Sequence, residues 1–361
     1  MIPVYEPDLG NLEKKYVNEA LDSGWISSKG VFIDRFESEF ARLIGYGHSG
    51  ISVSNGTVAL HLALLALDIA PGDEVLVPNF TYVACANAIV YVNARPVFFD
   101  SLDLDLQPSS HSLEKLISDK TKAIILPHLY GAAVDIQKFM DISRRYNIPI
   151  IEDCAEGIGT RVADKHVGNF GDIATFSFFG NKTLTTGEGG MVFAKDLDVD
   201  KKIRKLKNQG LTAAGSYFHD VVGYNYRMTN IQAAIGLAQV ERVEEILTKK
   251  INNHRIYLQH LKSFSHARLL ETTQGTSSYW IETLIFDKKV DLSRLSQYMY
   301  ENGVETRPGF CTMKKLPMFK NDPGETEISS NFENRILNLP SSPLLREIDI
   351  VTVCNLLKSW S

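Results

Sequence analysis

IATFSFFGNKTLTTGEGGMVFA, from Ile173 to Ala194, contains two short apolar runs, Ile173–Ser177 and Gly190–Ala194, joined by the glycine- and threonine-rich Phe178–Gly189. Parallel neighbours need a crossover of a dozen or more residues, usually helical, so so short a link predicts an antiparallel pair. Upstream, five further β-branched runs recur: Ile51–Val53, Glu74–Val77, Pro96–Phe99, Ala123–Leu126 and Pro149–Glu152. Between them lie the helical stretches Thr57–Leu67, Thr81–Tyr91, His111–Ser118 and Asp135–Tyr146. Near-continuous apolar strands alternating with helices indicate an α/β fold, a mostly parallel seven-stranded sheet covered on both faces. Beyond Met228 the pattern changes. Asn230–Leu247 reads as one amphipathic helix, Thr248–Arg255 is charged, Tyr279–Phe286 is strand-like and Leu292–Asn302 is helical. The expected division is a large domain over residues 1–245 and a smaller α+β domain over residues 246–361.

The 361 residues carry 38 Lys+Arg against 43 Asp+Glu, a net charge of −5, which speaks against a nucleic-acid partner needing a basic face. Cys85, Cys154, Cys311 and Cys354 are scattered without a CxxC pair, so they read as small hydrophobes in a reducing compartment. The longest apolar stretch, Val83–Val92, is about half of the ~20 residues a membrane helix needs. With no basic-then-apolar leader visible, the expectation is a cytoplasmic protein without a membrane partner.

In open α/β sheets ligands bind beyond the carboxyl ends of the strands, so the strand exits are where chemistry is expected. Ser54-Asn55-Gly56-Thr57 follows the first strand and opens a helix; there, free N–H groups can hold a phosphate, or Thr57 can serve as a plain cap. Pro78–Tyr82 places an aromatic at a helix start, able to cover a planar ligand or simply to pack. Asp153 ends the fifth strand, where a carboxylate needs a cationic partner or strong hydrogen bonds; a protonated pyridine nitrogen would serve. Lys182 is hemmed in by Phe178, Phe179 and the glycine-rich turn, the setting of a lysine nucleophile toward carbonyls. A phosphate-binding GxxxxGK[ST] loop, a GxGxxG turn after a strand, GxSxG and HExxH are all absent, and no metal-ligand spacing is present, so no metal is expected.

Taken in order, Asn55-Gly56-Thr57, Thr81-Tyr82, Glu152–Glu156, Ser177–Thr183 and Gly223–Met228 resemble the pyridoxal-phosphate-dependent nucleotide-sugar aminotransferases of the DegT/DnrJ/EryC1/StrS family, which have fold type I. The likeness runs from Trp25–Gly30 to Glu305–Pro308. It implies pyridoxal phosphate as cofactor, bonded by Lys182, with Asp153 on the pyridinium proton, Tyr82 on a ring face and Glu156 at the phenolic oxygen. Gly56, Thr57 and Ser177 would take the phosphate, joined by Asn225 of a neighbouring subunit, so a homodimer with shared sites is implied. The versions Ser177–Lys182 and Ala155-Glu156 are most similar to members that aminate C4 of GDP-4-keto-6-deoxy-D-mannose with L-glutamate. UDP- or dTDP-linked 4-keto sugars are the alternative substrates. A non-catalytic cofactor-binding regulator is disfavoured by the presence of both Asp153 and Lys182, and a dehydratase of this fold would have histidine at the lysine position. Trp25, Ser28 and Arg307 are candidates for the nucleotide, Arg307 for its diphosphate. Gly309–Lys315 departs from the histidine-bearing aromatic segment expected there.

Overall fold

The computed structural model describes residues 1–102, 106–212, 217–272 and 274–360. Its larger sheet has seven strands, β1 (Ile51–Val53), β2 (Glu74–Pro78), β3 (Arg95–Phe99), β4 (Thr121–Pro127), β5 (Ile150–Asp153), β8 (Ile173–Ser177) and β9 (Gly190–Ala194), with a small hairpin of β6 (Arg161–Val162) and β7 (Lys165–His166) beside it. The order is β1-β9-β8-β5-β4-β2-β3. Every neighbouring pair is parallel except those that β9 makes, antiparallel to β8 (Ile173 opposite Ala194, Ser177 opposite Gly190) and to β1. The short link after Ser177 therefore reverses the chain, as its length requires.

Alternation along the strands sorts side chains between two cores. Val75, Val77, Ile125, Ile151 and Val192 pack with helices α3 (Gly56–Ala66) and α4 (Val83–Tyr91). On the opposite face, Leu76, Phe99, Ile124 and Leu126 meet α6 (Ile136–Tyr146), which follows the short α5 (Ser110–Lys115). Further along that face Phe176, Met191 and Phe193 meet α2 (Val31–Ile44) and α8 (Asn230–Glu241). Phe40 of α2 sets its ring edge-on against Phe176 and Phe178, at 5.0 and 5.1 Å. Helix α1 (Asn11–Asp22) lies against α8, and α7 (Leu197–Lys207) beside β9.

The amphipathic pattern from Asn230 is two helices, not one: α8 ends at Glu241 and α9 (Val243–Leu261) begins after Arg242, carrying the charged Thr248–Arg255 inside it. No proline or glycine makes this break. Arg242 turns its guanidinium to Asp8 Oδ1 (2.7 Å) and Glu13 Oε1 (2.9 Å), a part-buried pairing with the N-terminal segment that only tertiary structure supplies. Residue 246 lies one turn into α9. A second sheet, β10 (Ala267–Leu269), β11 (Glu282–Phe286), β13 (Ile336–Leu339) and β12 (Arg307–Pro308) in that order, is antiparallel and builds its own core with α10 (Leu292–Glu301) and α11 (Glu347–Ser359). The strand begins at Glu282, because Tyr279 sits in the left-handed region at φ 48° and breaks the extended run.

The first residues cross between the two sheets. Ile2 exchanges backbone hydrogen bonds with Gly303 and Glu305, Val4 C=O accepts from Ser341 N–H, and Ser342 Oγ donates to Glu6 C=O. Tyr5 Oη donates to the carbonyl of Lys182 at 2.8 Å.

Candidate active site

A cavity of about 470 Å³ opens at the carboxyl ends of the parallel strands, facing the second sheet. Asn55 caps α3, its side chain accepting from Val58 N–H at 3.0 Å; the cap is thus Asn55 and not Thr57. The first N–H groups of a helix have no intrahelical acceptor, so Gly56 and Thr57 present theirs at the cavity wall. A Cβ on Gly56 would stand 2.8 Å from Ser177 Cβ, so only glycine lets the helix start approach the end of β8 so closely.

Asp153, the last residue of β5, is 9% exposed. Ala155 N–H donates to its Oδ1 (3.0 Å) and the thiol of Cys85, in the first turn of α4, to its Oδ2 (3.1 Å). Lys182 leaves the β8 exit and brings Nζ to 3.3 Å from Glu156 Oε1 and 3.9 Å from the centroid of Trp280. The indole N–H of Trp280 donates to Asn181 C=O at 2.7 Å, which fixes the ring under the ammonium as a cation–π platform. Burial pushes the Glu156 carboxyl up, an effect partly offset by the charge of Lys182 and by Tyr130 N–H, which donates to Oε2 at 2.7 Å. Tyr130 makes that bond from the left-handed region, at φ 56°, a conformation costly for a side-chain-bearing residue and of the kind found at functional sites. Tyr82 stands half-exposed at the mouth with Phe310 behind it, ring centroids 5.4 Å apart.

Gly56, Thr57, Tyr82, Asp153, Glu156, Ser177, Lys182 and Arg307 thus all line one cavity. Trp25, Ser28 and Asn225 do not. Trp25 is exposed, its carbonyl accepting from Asn230 Nδ2, and exposed Asn225 accepts from Arg227. Sequence reasoning missed Trp280, Phe310 and Asn338, which arrive from the second sheet and its loops, and His128, which the strand-exit rule would have found after β4. His128, Glu152 and Cys154 form a buried cluster with metal-like spacing, but the lone pairs of its histidine and carboxylate are engaged. Glu152 accepts from His128 Nε2 and from the N–H groups of Gly168, Phe170 and Gly171, and His128 Nδ1 accepts from Val134 N–H. Burial works against the Glu152 carboxylate, yet these donors hold it below the usual range.

The donor set fits a phosphorylated, aromatic, nitrogen-bearing cofactor: a helix start cradled by glycine for the phosphate, a carboxylate for a ring N–H, a face aromatic and an amine. The match with the DegT/DnrJ/EryC1/StrS aminotransferase family model covers residues 7–358. The GDP-perosamine synthase of Vibrio cholerae is 47% identical over 100% of this chain and 99% of its own length, and that of Escherichia coli O157:H7 is 44% identical over 98% and 96%. The PLP-form of the sugar aminotransferase Spr1654 from Streptococcus pneumoniae superposes with a TM-score of 0.93 at 25% identity, covering 99% of this chain and 98% of that one. With cavity, strand order and sequence in agreement over nearly the whole length, the chain belongs to the DegT/DnrJ/EryC1/StrS aminotransferase family.

Proposed function

We propose that this chain is a pyridoxal-phosphate-dependent sugar-nucleotide 4-aminotransferase that converts GDP-4-keto-6-deoxy-D-mannose and L-glutamate to GDP-perosamine and 2-oxoglutarate. The observation that carries it is the convergence of Lys182, Glu156 and Asp153 on one cavity beside a glycine-cradled helix start, in a chain nearly half identical to a GDP-perosamine synthase. Bound pyridoxal phosphate supplies an electron sink for the carbon being deprotonated. Asp153 would hold the ring nitrogen, Tyr82 one ring face, Glu156 the phenolic side, and Gly56, Thr57 and Ser177 the phosphate.

Lys182 is then both the nucleophile that retains the cofactor and the base that moves a proton. It takes one from Cα of glutamate and, after 2-oxoglutarate leaves, delivers one to C4 of the sugar. Glu156 and the Trp280 face support the first of these roles by holding Nζ over the cavity. Arg307, at the cavity wall, is proposed for the diphosphate, and its present ion pair with Glu305 (3.1 Å) is exposed enough to exchange. Asn225 lies outside this chain's own cavity, which supports its assignment to the phosphate of a second copy in a homodimer; Trp25 and Ser28 are proposed for the nucleotide. Among the described residues no helix is long and apolar enough to cross a membrane, and a cytoplasmic enzyme supplying O-antigen lipopolysaccharide with an activated amino sugar is the setting proposed.

The test is product mass spectrometry with glutamate, cofactor and, separately, GDP-, UDP- and dTDP-linked 4-keto-6-deoxy sugars. Amination of the GDP sugar is expected. Reaction of a UDP or dTDP sugar alone would overturn the substrate, and failure of glutamate to yield 2-oxoglutarate with any of them would overturn the activity.

A further inference from the structure

We infer that Cys85 is a positioning residue for this site: its thiol orients the Asp153 carboxylate toward the ring nitrogen of the cofactor, an assignment that rests on the proposed role of Asp153. Cys85 is fully buried in the first turn of α4, and the Sγ–Oδ2 distance of 3.1 Å is well inside the reach of a sulfur hydrogen bond. Burial and the neighbouring Asp153 charge push the thiol well up, so the proton stays on sulfur and Cys85 is the donor. With its hydrogen directed to Asp153, the sulfur accepts from the Thr81 hydroxyl at 3.4 Å, giving a relay Thr81 O–H to Cys85 S–H to Asp153. Thr81 is also fully buried, so neither donor is in exchange with water.

The relay fixes the carboxylate from one side. Ala155 N–H takes Oδ1, the thiol takes one lone pair of Oδ2, and the carboxylate can offer what remains to the cavity it lines. A thiol is a weak donor, so it sets direction without competing strongly for the charge that a ring N–H needs. The segment Thr81–Cys85 also carries Tyr82, between Thr81 and α4, so one helix start positions both the aromatic for the ring face and the donor for the ring-nitrogen carboxylate. Among the described residues, the other titratable groups that line the cavity are Tyr82, His128, Glu156, Lys182, Glu188 and Arg307.

The experiment compares holoenzyme of the unaltered chain with Cys85→Ala, Cys85→Ser, Cys85→Val and Asp153→Asn. The readouts are the dissociation constant of pyridoxal phosphate on reconstituting apoenzyme, and the pH midpoint of the visible absorption of the bound cofactor without substrates. Loss of one modest hydrogen bond predicts cofactor binding about 2- to 10-fold weaker in Cys85→Ala and Cys85→Val, and a midpoint moved by about half a pH unit or more. Cys85→Ser, which keeps a donor, is expected to restore both. If Ser behaves as Ala does, or if Ala and Val leave both readouts unchanged while Asp153→Asn alters them, the positioning role is wrong and the Asp153 assignment stands. If Asp153→Asn also changes neither, the assignment of Asp153 fails and the inference falls with it.

Discussion

Lys250 offers a quantitative test of the energetics at the seam between the two sheets. It lies on α9, 1% exposed, with Nζ donating to the carbonyls of Trp280 (3.0 Å) and Ser341 (2.9 Å) and the Tyr5 ring 5.2 Å away. Burial lowers this lysine from 10.5 to about 7, against the opposing pull of Glu282. The sign follows from linkage. Between pH 7 and 10.5 the unfolded chain binds one proton more than the folded one, so stability rises with pH across that window and is lost as pH falls through it. At ~1.4 kcal/mol per pH unit the full effect is about 5 kcal/mol, complete below pH 7. Lys250→Met removes that burden but orphans two buried carbonyls, at about 1–3 kcal/mol each. The two nearly cancel near pH 7, while at pH 10, where the unfolded-state lysine is still mostly charged, about 1 kcal/mol of the burden remains and the variant is the less stable by about 1–5 kcal/mol. Urea unfolding of both proteins at intervals from pH 6.5 to 10 reads the difference directly, and the other buried lysine held low, Lys207, cancels because both chains carry it. A stability difference constant with pH would refute the reasoning, because it would mean that Lys250 keeps the same charge in both states.

Lys182→Ala is expected to lower kcat by at least ~10²–10⁴ through loss of the proton-transfer role alone, with an unchanged circular dichroism melt; normal turnover would remove it from the mechanism. Gly190→Ala puts a Cβ 2.6 Å from Asn55 C=O and 3.0 Å from Gly56 N, so β9 must push the helix start aside. A loss of about 1–3 kcal/mol in urea unfolding and weaker cofactor binding should follow, and native-like values in both would show that the contact yields freely. Arg242→Gln breaks the part-buried pairing with Asp8 and Glu13 while Lys249 still holds Asp8, and is expected to cost about 1–2 kcal/mol. Burial opposes these two carboxylates, yet their partners hold both below the usual range, so part of the wild-type stability is lost on acidification. The variant should show a flatter acid limb in a Tm-against-pH series; an unchanged limb would place that pH dependence elsewhere.

The large sheet was legible because its information is local. Apolar runs such as Val75–Val77 and Ile150–Ile151 are buried on both faces, and the short Phe178–Gly189 link left only one direction for β9. The break at Arg242 was not legible, since Asp8 and Glu13, which hold it, lie far away in sequence. The same distinction runs through the site. Lys182, Asp153 and Gly56 sit at strand exits, where topology alone predicts ligands. Trp280 and Phe310 reach the cavity from the second sheet, and nothing in their local sequence marks the approach. Cys85 read as a small hydrophobe by its type, and its burial agrees; its bond to Asp153 depends on how α4 docks beside β5.

The path of Ile2–Asp8 bears on when, and not only how, the site is completed. Val4 N–H waits for Glu305, and Glu6 for Ser342, partners separated from them by 301 and 336 positions. During synthesis, strands up to Ala194 can pair while this opening segment still lacks Glu305, Ser341 and Ser342, the partners that clasp it. Loop closure over such spans is slow, so the clasp should form last in refolding as well. The hydrogen bond from Tyr5 to the Lys182 carbonyl then becomes a late event, and an active-site lysine whose strand formed early acquires its final anchor only after the last strand has emerged.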